Sequence, residues 1–295
     1  MRKVSDMEKF CIISNSTKDK KYEFASFIKK YLEEKKKECI ITKDYRLTNE
    51  GENKKNTKRT EEKEISEDTE AVIVLGGDGT MIQAAHDLIA RDIPILGVNL
   101  GTLGFLAEIE KQNVQNALDA LIADSYDVES RMMIEGSSVC KGKEIFCGAA
   151  LNDFVISKGG FCHLITVKVF VNEELAATYR ADGVIVSTPT GSTGYNLSSG
   201  GPVMVSELQA VSITPICPHS LNNRSLVVRA EDVIRLEIGS SKEMQIDESV
   251  IVMDGQILNH MVTGDYITIK KSKKDTKIIK LTESNFFHIF RKKIG

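Results

Sequence analysis

Apolar and polar residues follow two different periods along this chain of 295 residues. Through about residue 125, short continuous apolar runs alternate with stretches of helical spacing. KFCIIS, ECIIT, AVIVL (Ala71 to Leu75) and IPILGVN are rich in β-branched residues, the pattern of strands buried on both faces. Between them, Phe24, Phe27, Ile28, Tyr31 and Leu32 share one helical face, and Met81, Ile82, Ala85, Leu88 and Ile89 share another. VQNALDALIA reads as a third amphipathic helix. The alternation predicts an open parallel-sheet α/β domain over residues 1–125. It is interrupted over 43–70, where charges of both signs crowd out apolar residues, a composition expected of a solvated, mobile loop.

Beyond Tyr126 the helical period fades. RMMIEGSSV, EIFCGAAL, LITVKVFV, VSITPI, SLVVRA, VIRLEI, SVIVMDGQ and YITIKK are short runs separated by turn residues. They predict a mainly-β domain over residues 126–270. In the remaining segment, 271–295, ESNFFHIFRKKI reads as a short helix whose apolar side packs back on the first domain. The fold class is therefore α/β plus mainly-β, with the open parallel sheet first and the β-rich domain second.

Composition narrows the function classes. The formal net charge of −3 gives no strongly basic surface for nucleic acid. No apolar run approaches the roughly 20 residues that span a bilayer, and MRKVSDMEKFCIISN lacks a signal-peptide core. Six scattered cysteines form no CxxC pair or zinc spacing, as expected of free thiols in a reducing cytoplasm.

Four stretches carry candidate chemistry. In LGGDGT, Asp78 stands between glycines where a buried strand passes into a helix. Such a position suits a helix cap, and equally a carboxylate in the crevice where open α/β sheets bind ligands. LND (Leu151 to Asp153) interrupts two apolar runs and reads as a turn or as a polar strand end. RADGVIVSTPTGSTGYNLSSGGP (Arg180 to Pro202) joins an apolar strand to a loop of small hydroxyls and glycines. That loop offers backbone N–H groups to a polar ligand, and its Pro189, Tyr195, Leu197 and Pro202 do not suit a plain linker. In PICPHSLNNRS, His219 reads as a structural histidine, since no nucleophile pairs with it in the sequence. A carboxylate among glycines can accept a proton from a hydroxyl while backbone N–H groups approach phosphate oxygens, which phosphoryl transfer to an alcohol requires. No GxxxxGK[ST], HRD or DFG is present.

These stretches resemble the NAD kinase family, in the order GGDGT (Gly76 to Thr80), NLGTLGFL (Asn99 to Leu106), LND, the long loop from Asp182 to Pro202, and TPICPHSL (Thr214 to Leu221). The resemblance implies a two-domain enzyme that moves the γ-phosphoryl of ATP to the 2′-hydroxyl of the NAD adenosine ribose. It implies Asp78 as proton acceptor, with Gly76, Gly77 and Gly79 beside the nucleotide. It assigns nucleotide contacts to Asn152 and Asp153, to Arg180 and Asp182, to the turn Thr193, Gly194, Tyr195, Asn196, Leu197 and Ser198, to His163, and to Gln256. It further implies a divalent metal, Mg2+, with no ligand assigned, a β-rich domain that binds NAD, and a cytoplasmic homo-oligomer. Gly194 replaces the family's common alanine, and Gln83 stands where a basic residue is frequent. Two alternatives remain: a diacylglycerol or sphingosine type of lipid kinase, and a dinucleotide-binding regulator without catalysis.

Overall fold

The computed structural model describes residues 7–42, 65–160, 163–219, 224–240, 247–281 and 286–294. The chain divides into two compact units, Met1–Ser130 with Thr276–Gly295, and Arg131–Asp275.

In the first unit the order is β1 (Lys9–Ser14), α1 (Glu23–Glu34), β2 (Glu38–Thr42), β3 (Ala71–Gly76), α2 (Asp78–Leu88), β4 (Ile95–Asn99), β5 (Ile109–Glu110), α3 (Val114–Ile122) and β6 (Asp127–Arg131). The second unit contributes β7 (Ile134–Cys140), β8 (Lys143–Ala150), β9 (Asp153–Lys158), β10 (Ile165–Val171), β11 (Glu174–Ala181), β12 (Gly183–Ser187), α4 (Tyr195–Ser198) and β13 (Ala210–Ile216). It continues with β14 (Leu226–Arg229), β15 (Ile234–Ile238), β16 (Glu248–Met253), β17 (Gln256–Val262) and β18 (Tyr266–Lys271). The chain then returns to the first unit as β19 (Thr276–Lys280) and α5 (Phe286–Ile294).

The first sheet runs β2-β1-β3-β4-β19-β6, with β5 beside β4. Its pairs β1/β2, β1/β3, β3/β4 and β4/β19 are all parallel. Chain order reverses between β1 and β3, so the loops leaving their carboxyl ends lie side by side, the switch point of an open α/β sheet. α1 and α3 cover one face through Phe24, Ile28, Leu32, Val114, Leu118 and Leu121. The loop from β1 to α1 needs help, because Lys21 and Tyr22 both take left-handed backbone conformations. Asp19 supplies it. Its buried carboxylate accepts the N–H groups of Phe24 and Ala25 and the Ser14 hydroxyl.

Two expectations change here. Residues 43–64 of the charged stretch lie outside the described residues; over 65–70 the middle residues Ser66, Glu67 and Asp68 are exposed, as expected of a loop, but its ends are anchored to the fold. Ile65 is buried, its carbonyl accepts from Arg91 at 2.6 Å, and the Glu70 carboxylate takes the N–H groups of Glu8 and Lys9. The sequence also hides three strands, β5, β6 and β19. β5 has two residues and β6 (DVESR) is mostly exposed, so neither leaves an apolar period.

The second unit holds two six-stranded sheets, β11-β10-β15-β18-β7-β8 and β14-β13-β12-β9-β16-β17. Val167, Leu236 and Ile267 of one sheet and Phe154, Val186, Ile213 and Ile251 of the other form a single apolar core. β12 is buried along its whole length between β9 and β13.

Replacing Asp19 with alanine is expected to lower the stability of α1 by about 1–2 kcal/mol, the range of a lost helix cap. Native-state hydrogen exchange at α1 reads this directly.

Candidate active site

The GGDGT turn is organised by contacts that local sequence does not reveal. Gly77, not Asp78, is the N-cap of α2, and no side chain caps that end. The Asp78 carboxylate points instead at the segment after β4. Its Oδ2 accepts the Phe105 N–H at 2.9 Å, and its Oδ1 accepts those of Leu106 at 3.0 Å and Ala107 at 3.3 Å. This approach requires Gly104, where a Cβ would lie 1.9 Å from Asp78 Oδ1. Gly76 is needed for a similar reason, since a Cβ there would meet Thr80 Oγ1 at 2.3 Å. GGDGT and NLGTLGFL are thus two halves of one cradle.

A carboxylate offers roughly four acceptor positions, and three are taken, which leaves one on Oδ2. Lys293 of α5 stands 3.8 Å from that oxygen, and its ammonium lies 4.8 Å from the centre of the Phe105 ring. Phe286 packs on the same ring at 5.9 Å. Gly79 has nothing within 4 Å of where a Cβ would stand, so its surface is open. Gln83 is buried and donates to Asp87 at 2.9 Å.

Lys18 escapes sequence reading. It leaves β1 in a loop fixed by Asn15, whose N–H donates to the Leu75 carbonyl at 2.9 Å and whose side-chain amide donates to Thr80 Oγ1 at 3.1 Å. The Lys18 ammonium lies 3.3 Å from the Cβ position of Gly77 and 3.6 Å from that of Gly101. Its one sequence signal is a place just after a buried strand.

In the second unit, Asn152 and Asp153 sit at the start of β9 and are held by a residue the motifs do not contain. Asp254 accepts the N–H groups of Leu151, Asn152 and Asp153, each at 2.8 Å. Asp254 and Gly255 both have positive φ, the tight hairpin turn that Asp-Gly favours, and Gln256 opens β17 directly after it. The Asn152 carbonyl accepts the Thr188 N–H at 2.8 Å. A Cβ at Gly191 would stand 2.3 Å from that carbonyl oxygen, so the loop after β12 can close on it only with glycine there. Asn152 Oδ1 is buried and meets no donor among the described residues.

The loop itself is a compact turn, with a 3-10 segment at Gly191–Thr193 and α4 at Tyr195–Ser198. Gly194 lies near the Asn152 amide, its Cβ position 3.6 Å from Nδ2. Tyr195 is half exposed. Burial raises its hydroxyl pKa, and the charges of Cys217, Asp182 and Asp153 add to the rise. Asn196 does not face open space. Its fully buried side chain accepts from Ser212 and Thr214 and donates to the carbonyls of Ser192 and Pro202. It holds the loop shut.

Asp182 does not stand beside Asn152 and Asp153. Asp182 pairs with Lys158 at 2.6 Å, at the far end of β9, roughly 17 Å along a six-residue strand. Arg180 and His163 are exposed. The Asp153 carboxyl is buried, and that burial, with the Asp254 charge beside it, pushes its pKa up to about 7.

Family models match both units: the ATP-NAD kinase N-terminal domain over residues 10–126, and the ATP-NAD kinase C-terminal domain over 151–281. An NAD kinase of Lachnoclostridium phytofermentans is 45% identical over 98% of this chain and 99% of its own length. The chain belongs to the NAD kinase family. Among solved structures, the yeast NADH kinase complexed with NADH has a TM-score of 0.81 at 25% identity, covering 99% of this chain and 89% of that one. The NAD kinase of Archaeoglobus fulgidus in complex with ATP superposes with a TM-score of 0.74 at 24% identity, over 96% and 98% of the two chains, which supports the fold. NAD kinase membership favours neither the lipid kinase nor the regulator.

Two outcomes are expected. Gly104→Ala must displace the Asp78 carboxylate, so steady-state turnover should fall by about 100-fold, while circular dichroism stays native. Asp153 binds its proton more tightly folded (pKa about 7) than unfolded (3.8). Its contribution to stability is therefore lost as pH rises from about 4 to 7, by up to about 4 kcal/mol. Urea unfolding of Asp153→Asn should lack that slope.

Proposed function

We propose that this kinase transfers the γ-phosphoryl group of ATP to the 2′-hydroxyl of the adenosine ribose of NAD, forming NADP and ADP. The reading rests above all on Asp78, whose carboxylate is fixed by three backbone donors with one acceptor position left on Oδ2. A ribose hydroxyl donating there is oriented for attack. Its oxygen bonds to the γ-phosphorus as the bond to the β-phosphate oxygen breaks, and its proton passes to Asp78. Near-fixed placement of the acceptor, rather than strong basicity, is the main contribution.

In the second unit, Asn152 Oδ1 meets no donor among the described residues, and an N–H or O–H of the dinucleotide would satisfy it. Asp153, with its pKa near 7, can donate a hydrogen bond while protonated. Tyr195 offers an exposed ring and Gly194 a close backbone approach, while Thr193, Leu197 and Ser198 complete the turn. Gly76, Gly77 and Gly79 shape the nucleotide side of the first unit. Asp182, Arg180, His163 and Gln256 serve the more distant parts of an extended dinucleotide.

Among the described residues no three His, Cys, Asp or Glu side chains converge as a metal cage. A divalent ion such as Mg2+, brought in with the phosphates of the donor, would neutralise their charge. Five described cysteines are free thiols, in keeping with a cytoplasmic protein. No helix among the described residues is long and apolar enough to cross a membrane. A homo-oligomer is the expected assembly.

An endpoint assay with NAD, ATP and Mg2+, read by an NADP-specific dehydrogenase, should give NADP only when all three are present. Asp78→Asn should lose at least about 100-fold in turnover and still bind NAD in calorimetry. A variant with near-normal turnover would remove Asp78 from the mechanism.

A further inference from the structure

Helix α5 has no role so far, yet it lies on the Asp78 cradle. Its Phe286, Ile289, Phe290 and Lys293 follow the spacing i, i+3, i+4, i+7 and share one face. Ile289 is buried, Phe290 stacks on Phe286 at 6.0 Å, and Phe286 packs on Phe105 at 5.9 Å. Arg291 and Lys292 lie off that face and are exposed. Of the three basic residues in the last turn, Lys293 is the one the helix turns toward Phe105 and Asp78.

Two distances define what Lys293 can do. Its ammonium stands 4.8 Å from the centre of the Phe105 ring, inside cation–π range, and 3.8 Å from Asp78 Oδ2, outside hydrogen-bond range. It places a positive charge beside the carboxylate without taking the acceptor position that Oδ2 keeps open. Phe105 joins the two contacts, because its N–H donates to that same oxygen at 2.9 Å. A second tether comes from the strand before the helix. Lys280 of β19 pairs with Glu108, the residue after Ala107, and with Glu129 of β6 at 3.4 Å, all three largely buried. Residues 105–108 are thus held at both ends by the segment that returns to the first unit.

We propose that this returning segment aims the Asp78 carboxylate for phosphoryl transfer, with Lys293 as a positioning residue and Phe286 as its anchor. The assignment rests on the kinase reading above. A charge pair this close resists rotation of the carboxylate away from its three amides. The ring contact keeps the ammonium from closing on Oδ2 and excluding the substrate hydroxyl. Misplacing a reacting group by about 1 Å can cost on the order of 100-fold in rate, so even a modest restoring force matters.

The test compares wild type with Lys293→Met, Lys293→Arg and Phe286→Leu. Lys293→Met should lower kcat about tenfold. It should leave the KM values for NAD and ATP within about twofold, the split of an interaction that acts in the transition state. Lys293→Arg keeps the charge and the ring contact and should recover most of the loss. Hydrogen exchange reads the tether without turnover. The amides of Phe105, Leu106 and Ala107 should exchange about tenfold faster in Lys293→Met and Phe286→Leu. Those of Leu151, Asn152 and Asp153, held in the same way by Asp254, should not change. Normal kcat in Lys293→Met overturns the assignment, and so does a change confined to KM. Faster exchange in both sets of amides also overturns it, as a general loss of stability. A rise in kcat/KM for NAD overturns it too, making Lys293 a block on the acceptor position. Wild-type protein that makes no NADP refutes the kinase reading, and the exchange arm still decides whether α5 holds the cradle.

Discussion

The Asp78 carboxylate gathers three consecutive backbone N–H groups, those of Phe105, Leu106 and Ala107. Much of the first unit's geometry follows from that contact. It demands a glycine at 104, fixes the segment after β4 against the start of α2, and gives Phe105 a set position under Phe286 and Lys293. A side chain that only capped its own helix would leave that segment free to move. Charge-assisted hydrogen bonds to fixed amides hold this carboxylate in one position.

The second unit uses the same device independently. Asp254 collects the N–H groups of Leu151, Asn152 and Asp153. In both units an aspartate followed by glycine leaves its own element and ties down a distant peptide segment. The consequences differ. Asp78 keeps an open acceptor position, whereas Asp254 is spent on structure and lends its charge to Asp153. Two carboxylates of the same local sequence type, Asp-Gly, thus differ in what surrounds them, one keeping an acceptor position open and the other used up in scaffolding.

The residues legible in the sequence were those whose chemistry sits in a short run. AVIVLGGDGT announces a buried strand, a turn and a helix within a few positions, and the loop from Asp182 to Pro202 carries too many small polar residues for a spacer. What stayed hidden depends on separation along the chain. Gly104 matters because Asp78 reaches it from 26 positions away, and Asp254 supports LND from about a hundred. Lys18 meets Gly77 only because β1 and β3 are neighbours in the sheet. Asn196 looked like a ligand contact because of its company in the motif, yet its amide is fully used inside the protein. Burial and pairing, which no single-sequence pattern records, decide between the two.

The return of β19 to the first sheet bears on the order of assembly. Its Ile278 pairs with Ile95 of β4, so a strand at the sheet's interior is supplied only after the whole second unit has been made. On a ribosome the second unit, Arg131–Asp275, is continuous and can fold as soon as it emerges. The sheet bearing Asp78 must wait with β4 and β6 separated by a vacant position. The part of the enzyme that is synthesised first is therefore completed last, and nascent chains expose an unpaired strand edge for most of their elongation, the state that chaperones recognise.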